Sequence, residues 1–297
     1  MGPAFSHSYC AAEALLESLA LKQSDYAPQP YASLESLTED FLAGHLASTL
    51  LPVENVIEGS VRLVWDALET IPESFLKNVV LVEFTFAIHH SLLVTETWKG
   101  LPQTQVVMSH PQALAQCRRW VQTHCAADLT WAPTASTSEA AFQLSELFKS
   151  DPLAASETAV LAHSTLTSHT GLRLAVPDCS DLAGNQTRFL WLQQPGQTPG
   201  QANLVTPSIS DWKTTYILSV VDRPGALVEA LQCFQSAGIN LSRIESRPSR
   251  SQLGEYLFYL DAVHTNPAES SKLLEALVCD VSQHTRTLKS LGPYPCL

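Results

Sequence analysis

The chain has 297 residues, 45% of them hydrophobic and only 15% charged, so it can bury a sizeable core and is not globally disordered. Its formal net charge is −12 and its longest basic run is Arg118-Arg119, which argues against nucleic acid or an anionic membrane surface as a partner. Seven widely spaced cysteines without a C-x-x-C argue against a zinc site or a disulfide framework and suit a reducing cytoplasm.

No apolar run approaches the ~18 residues of a membrane span. No basic stretch leads into an apolar one at the start, so no secretion signal is expected. From the N-terminus, a Gly-Pro turn leads into a helix with Ala12, Leu15, Leu16 and Leu19 on one face. A second helix is expected around 37–46. "STLLPVENVIEGSVRLVWDAL" reads as a strand, a polar turn and a helix whose inward stripe is Val61, Val64, Trp65 and Leu68. "NVVLVEFTFAIHHSLLV" alternates as one or two strands. "TQVVMSHPQALAQCRRWVQTH" reads as strand, cap and helix, with Ser109 as N-cap and Pro111 in the first turn, where its missing N–H costs nothing.

"AAFQLSELF" and "ETAVLAHSTLTSHTGL" read as further helical or mixed segments, and "GLRLAVPDCS" returns as a strand. Strands alternating with helices imply an α/β layer architecture. "GNQTRFLWL" then places a polar lip before an apolar strand, and the Pro, Gly and Gln content of residues 193–208 marks a linker. Beyond it the order is βαββαβ, the ferredoxin-like arrangement, with Pro224 opening its first helix and Gly238 closing it.

Four stretches could carry chemistry. Ser6 and Ser8 stand at a helix start, as an N-cap or as anion donors. Glu54 and Asn55 follow an apolar strand and precede Gly59-Ser60; strand C-termini are where α/β sheets bind ligands, though a turn and cap would look the same. His110 and Gln112 occupy a strand-to-helix junction and read first as a cap. Thr187 can relay a proton and Arg188 can clamp a carboxylate, or both are simply an exposed strand start. His89 and His90 are adjacent on a strand, face opposite sides and cannot chelate one metal together. No G-x-S-x-G, G-x-G-x-x-G or P-loop occurs, so a hydrolase elbow and the usual dinucleotide or NTP sites are unsupported.

Taken in order, "GPAFSHSYCAA", "PVENVIEGSV", "SHPQALAQC" and "NQTRFLWL", followed by "PGAL" and "ESRP", resemble the prephenate dehydratase family with its C-terminal ACT regulatory domain. The resemblance implies two α/β subdomains around a cleft, periplasmic-binding-protein-like, plus the ferredoxin-like ACT domain. Subdomain 1 would be about 1–97 and 180–200 and subdomain 2 about 98–179, with a linker at 201–212 and the ACT domain at 213–297. It implies a lyase that decarboxylates and dehydrates prephenate to phenylpyruvate without metal or cofactor. Thr187 would be the proton donor or its relay. Arg188, Phe189, Glu54, Asn55, Gly59, Ser60, Ser6 and Ser8 would hold substrate. Gly225, Ala226 and Leu227 on one side, and Glu245, Ser246, Arg247 and Pro248 on the other, would bind phenylalanine as regulator at the interface of a homodimer or homotetramer.

The chain departs from the family at three places. The family has a strand before the Gly-Pro turn, whereas this sequence opens at Met1-Gly2, so either the start is misplaced or that strand is expected to be absent. Phe5 replaces a glycine, where its ring could block the mouth, and His7 stands where an aromatic is usual. Val56 replaces a serine and removes a hydroxyl. A catalytically impaired metabolite sensor and an arogenate dehydratase are therefore competing readings.

Overall fold

The structure is a computed structural model that describes residues 4–21, 26–72, 76, 79–194, 211–249, 254–265 and 267–297. The expected linker at 201–212 lies almost wholly outside the described residues. In chain order the first elements are α1 (His7–Ser18), α2 (Leu34–Leu42), β1 (Ser48–Asn55), β2 (Gly59–Ser60), α3 (Arg62–Thr70), β3 (Val80–Ala87) and β4 (Ser91–Val94). Then come β5 (Val106–Ser109), α4 (Pro111–Gln116), α5 (Arg118–His124), β6 (Thr130–Pro133), α6 (Thr137–Ser150), α7 (Pro152–Ala155), β7 (Thr158–Ala162), α8 (Thr167–Thr170), β8 (Arg173–Val176) and β9 (Gln186–Gln193). The C-terminal βαββαβ is β10 (Trp212–Ser219), α9 (Ala226–Ser236), β11 (Asn240–Pro248), β12 (Tyr256–His264), α10 (Pro267–Gln283) and β13 (Thr287–Pro295).

The chain forms two compact units. Unit 1 comprises Met1–Leu37, Glu54–Ser60 and Phe86–Thr187, and unit 2 comprises Thr38–Val53, Val61–Thr85 and Arg188–Leu297. Unit 1 is built on a five-stranded sheet of order β6-β5-β7-β4-β8, in which β5 runs parallel to β6 and β7, and β4 antiparallel to β7 and β8. Side chains alternate across this sheet. Leu92, Val94, Ala159 and Leu161 pack one core with Leu114, Cys117 and Val121. Leu93, Val160 and Ala162 pack the other with Ala140, Ala141 and Leu144 of α6. Because β4 begins at Ser91, this sheet starts before residue 98. The segment beginning "ETAVLAHS", expected as helical or mixed, has the all-buried strand β7 at its start, because a strand covered on both faces shows no alternation in hydrophobicity.

Two caps deserve comparison. The Ser136 hydroxyl accepts from the Glu139 N–H at 3.0 Å while the Glu139 carboxylate accepts from the Ala135 N–H at 2.9 Å, which fixes the start of α6. At α4 the cap is His110, whose Nδ1 accepts from the Gln112 N–H at 3.3 Å, and not Ser109. Ser109 is still on β5, fully buried, and donates to the Leu161 carbonyl at 2.6 Å.

Unit 2 contains most of the sheet β2-β1-β9-β3 and the whole four-stranded sheet β11-β12-β10-β13. Helices α9 and α10 cover one face of the latter, burying Phe234, Leu274, Leu277 and Val281 against Tyr216, Leu218, Leu260 and Ala262. The opposite face carries charge. Arg188 Nη1 donates to Asp261 at 2.5 Å, Lys213 pairs with Glu83 at 2.5 Å, and Thr215 donates to Asp261 at 2.7 Å. Trp65 of α3 lies beneath the guanidinium groups of Arg188 and Arg243, 5.9 and 4.4 Å from its ring centre, and donates its indole N–H to the Val53 carbonyl at 2.9 Å.

Asp261 is fully buried, so removing it leaves charge without its counter-ion. Asp261→Ala is expected to cost about 3–5 kcal/mol. Glu146→Ala, which breaks the exposed pair with Lys149, should cost less than about 0.5 kcal/mol. Urea unfolding midpoints of the two variants check the difference.

Candidate active site

Strand β1 ends in a tight hairpin that pairs Glu54 with Ser60 and Asn55 with Gly59. Gly59 has φ +79°, the left-handed conformation that the turn back into β2 requires and glycine adopts freely. Within the turn the Asn55 carboxamide oxygen accepts from the N–H groups of Ile57 at 2.9 Å and Glu58 at 3.1 Å. That double contact fixes which end of the amide is oxygen. The Asn55 nitrogen must then face the start of β9, where it donates to Asn185 Oδ1 at 2.8 Å and to Thr187 Oγ1 at 2.9 Å, with the Gln186 carbonyl at 3.1 Å.

The network continues with one polarity. Asn185 donates to Gln116 Oε1 at 3.1 Å, and the Gln116 amide donates to Glu58 at 3.0 Å. Gln116 Oε1 also faces His90 Nε2 at 2.8 Å, so His90 carries its proton on Nε2. Sequence reading singled out Asn55 and Thr187 but missed Glu58, Gln116, Asn185 and His90 as members of one network. Gln116 stands one helical turn beyond Gln112 in "SHPQALAQC", the only local hint, whereas Gln112 itself is exposed at the α4 start. Thr187 is 9% exposed, and its oxygen is already accepting from Asn55, so its own hydrogen is free to be donated elsewhere.

His90 is also the edge of an imidazole group. The His7 ring meets those of His90 and His163 edge-on, at centroid distances of 5.3 and 5.6 Å. Burial, then the neighbouring His90, His163 and His89, push His7 down to about 3. Burial likewise lowers His90 and His163. Among the described residues no set of three His, Cys, Asp or Glu side chains could hold a metal ion.

The remaining expectations divide. Ser6 is the N-cap of α1, accepting from the Tyr9 N–H at 3.4 Å, and Ser8 lies in its first turn. Arg188 and Phe189 do not join the Thr187 network. Successive side chains of a strand point to opposite faces, so Arg188 leaves Thr187 for the interior of unit 2. There burial opposes its charge, but Asp261 and Glu83 overcome that, and it is held more firmly protonated than a free arginine. Phe189 is 1% exposed and belongs to the core of unit 2. Phe5 turns its ring onto the core of unit 1, 4.1 Å from the His169 ring and 6.1 Å from Phe142. Val56 is 70% exposed at the hairpin tip.

In the βαββαβ unit Gly225, Ala226 and Leu227 line a cavity of about 200 Å³ together with Arg223, Tyr256 and Arg286. Gly225 has φ +85° and caps α9. Glu245, Ser246, Arg247 and Pro248 do not line this cavity. Glu245 pairs with Arg247 at 2.6 Å, and Arg247 lies 5.2 Å from the Tyr259 ring centre and 3.6 Å from Asp66, on the face opposite α9 and α10. Ser246 and Pro248 point the other way and are exposed. No helix among the described residues is long and apolar enough to cross a membrane.

Comparison with known proteins separates the βαββαβ region from the rest of the chain, a boundary different from that between the two compact units. The prephenate dehydratase family pattern matches residues 1–197, and the ACT domain pattern matches residues 215–277. A bifunctional chorismate mutase/prephenate dehydratase of Pseudomonas aeruginosa is 34% identical over 90% of this chain and 66% of its own length, so the chain spans about two thirds of that relative. A prephenate dehydratase of Methanocaldococcus jannaschii is 32% identical over 83% of the chain and 80% of its own length. The crystal structure of prephenate dehydratase from Arthrobacter aurescens in complex with L-Phe superposes with a TM-score of 0.74 at 27% identity, covering 99% of this chain and 88% of that one. The chain belongs to the prephenate dehydratase family and carries a C-terminal ACT domain.

Proposed function

We propose that the chain is a prephenate dehydratase, a carbon–oxygen lyase that converts prephenate to phenylpyruvate. The observation that carries the reading is the polarity of the Thr187 hydroxyl: it accepts from Asn55, and its hydrogen is left for a leaving group. In the reaction the ring carboxylate departs as CO2, its electron pair enters the ring, and the ring C–O bond breaks. The hydroxyl takes the Thr187 proton as it goes and leaves as water. Aromatisation supplies the driving force, and the proton donor supplies timing and place. Thr187 regains a proton from solvent after product leaves. Ser8 and Ser60 are the proposed carboxylate donors, with Glu54 supporting the hairpin that carries Asn55.

The ACT domain is the proposed regulatory part, and phenylalanine its ligand. Support comes from the Gly225-Ala226-Leu227 cavity at the start of α9, where backbone N–H groups can receive a carboxylate. The relative from Arthrobacter binds L-Phe. Strand β11 is an edge of its sheet and exposes Ile244 at 53%, which suits a second copy of the chain as neighbour.

Two outcomes test this reading. Thr187→Ala should lower turnover of prephenate by roughly 10²–10⁴ with a smaller change in KM, while Thr187→Ser, which keeps the hydroxyl, stays far closer to the parent. A Thr187→Ala enzyme with a third or more of the parent's kcat would remove Thr187 from the chemistry. L-phenylalanine at a hundredfold excess over its Kd should stabilise the fold by about 2.7 kcal/mol, read as a rise in Tm. No rise at saturation would remove it as a ligand.

A further inference from the structure

If the site takes an anionic substrate, the groups of unit 1 around the Thr187 network are candidates to hold that charge. The described cations of unit 1 are Lys99, Arg118, Arg119, Lys149 and Arg173, and each is engaged elsewhere. Lys99 pairs with Glu157 at 2.6 Å, Arg119 with Asp181 at 3.8 Å and Lys149 with Glu146 at 2.7 Å. Arg118 lies over the Trp131 ring, and Arg173 lies over Trp98 and donates to the Thr95 carbonyl. Neutral donors are left.

His7 stands out among them. Both of its ring nitrogens are buried, and neither has a hydrogen-bond partner in the structure. Whichever nitrogen carries the hydrogen, a neutral imidazole has one N–H to give, and burying it unused is unfavourable. His90 cannot relieve it, because the two rings meet edge-on at 5.3 Å and His90 directs its own N–H to Gln116. His163 already accepts at Nδ1 from Thr165. The His7 side chain is thus a donor held ready beside the network that ends on Thr187.

We propose that His7, as a neutral ring, donates its imidazole N–H to a carboxylate oxygen of the substrate. This rests on the reading of the site as a prephenate-binding one. His7 would be a binding residue carried by the first turn of α1. The neutral state is consistent with its surroundings: the His90 and His163 rings face it, His89 adds to the same effect, and Asp178 and Glu58, the carboxylates bonded to His89 and Gln116, are each engaged at 3.0 Å.

The test compares the full-length parent chain with His7→Phe and His7→Gln, with phenylpyruvate formation from prephenate as readout. Formation of phenylpyruvate by the parent checks the dehydratase reading separately; if there is none, the same three proteins are titrated with prephenate by calorimetry. His7→Phe should raise KM, or Kd, about tenfold or more, with kcat within about threefold, since a hydrogen bond to a charged group is lost. His7→Gln, which restores a donor, should recover most of it. Because an unsatisfied polar group is removed from a buried place, His7→Phe should also melt at a higher temperature than the parent, a direction opposite to its effect on binding.

The parent's unfolding equilibrium gives a second measure. The folded His7 stays neutral down to about pH 3, whereas the unfolded chain takes up that proton near 6.5. Stability is therefore fully present above about pH 6.5 and is lost as pH falls, with the unfolding constant rising by up to about tenfold per pH unit from this residue. His7→Phe should weaken that dependence. Unchanged substrate affinity in His7→Phe, or failure of His7→Gln to recover any of a loss, overturns the proposal. So does a pH dependence of stability that His7→Phe leaves untouched.

Discussion

The orientation of one carboxamide decides what the site can do. The Asn55 oxygen is claimed by two backbone N–H groups of its own turn, so its nitrogen has no choice but to face β9. There it meets three acceptors with two hydrogens, and the two shortest contacts are to Asn185 and Thr187. Were the amide reversed, its oxygen would draw the Thr187 hydrogen inward and the hydroxyl could no longer give it to a leaving group. A two-residue turn contact thus sets the direction of proton donation. The same polarity passes through Asn185 and Gln116 to Glu58, which lies three residues from Asn55 and closes the network onto the hairpin it started from.

Charge is distributed in a way that complements this. Arg188 sits next to Thr187 in sequence, yet its guanidinium is committed to Asp261 and Glu83 in the interior of unit 2. Buried ion pairs of this kind are poor stabilisers, because desolvation offsets their attraction, but they penalise any arrangement that separates the partners. Apart from the Glu58 carboxylate at its far end, the site network in unit 1 is built of amides, a hydroxyl and an imidazole. Fixed dipoles of this sort suit a reaction in which charge moves from a carboxylate towards a departing oxygen. They need not reorganise as it does, and the part-buried contacts of Asn55 to Asn185 and Thr187 gain strength from their partial shielding from water.

Much of the architecture is legible in the sequence. The βαββαβ order, the helix after Pro111 and, of the expected inward stripe, Val64, Trp65 and Leu68 follow from periodicity and cap chemistry, whereas Val61 is the half-buried N-cap position of α3. Thr187 and Asn55 stand out as polar residues at strand ends. The turn of Arg188 away from Thr187 is readable in principle: the alternation rule that separates His89 from His90 also separates Thr187 from Arg188, and Arg247 from Ser246 on β11. What no local pattern reveals is the pairing of Gln116 with Glu58, 58 residues away, or with Asn185, 69 residues away. Such contacts exist only once the sheets are formed. Ser109 and His110 show the finer limit: both can cap a helix, and the strand register that buries Ser109 against Leu161 decides between them.

The N-terminal loop shows how a departure from a family pattern can be absorbed. Phe5 stands where the resemblance to the family pattern implies a glycine, and it adopts φ +62°, a left-handed conformation that costs a residue with a Cβ roughly 1–2 kcal/mol. Its ring meets that cost by packing against Tyr9, Phe142 and His169 on the core that α6 helps to build. A glycine here would hold the same turn without strain and without an anchor. Two residues on, His7 begins α1 with its ring among His90 and His163. The phenylalanine ring thus ties the loop to one hydrophobic core of unit 1, while the imidazole joins the polar side of the same unit. The two substitutions are best understood together: Phe5 supplies the anchorage that lets a buried, unpartnered imidazole be carried at the first position of the helix.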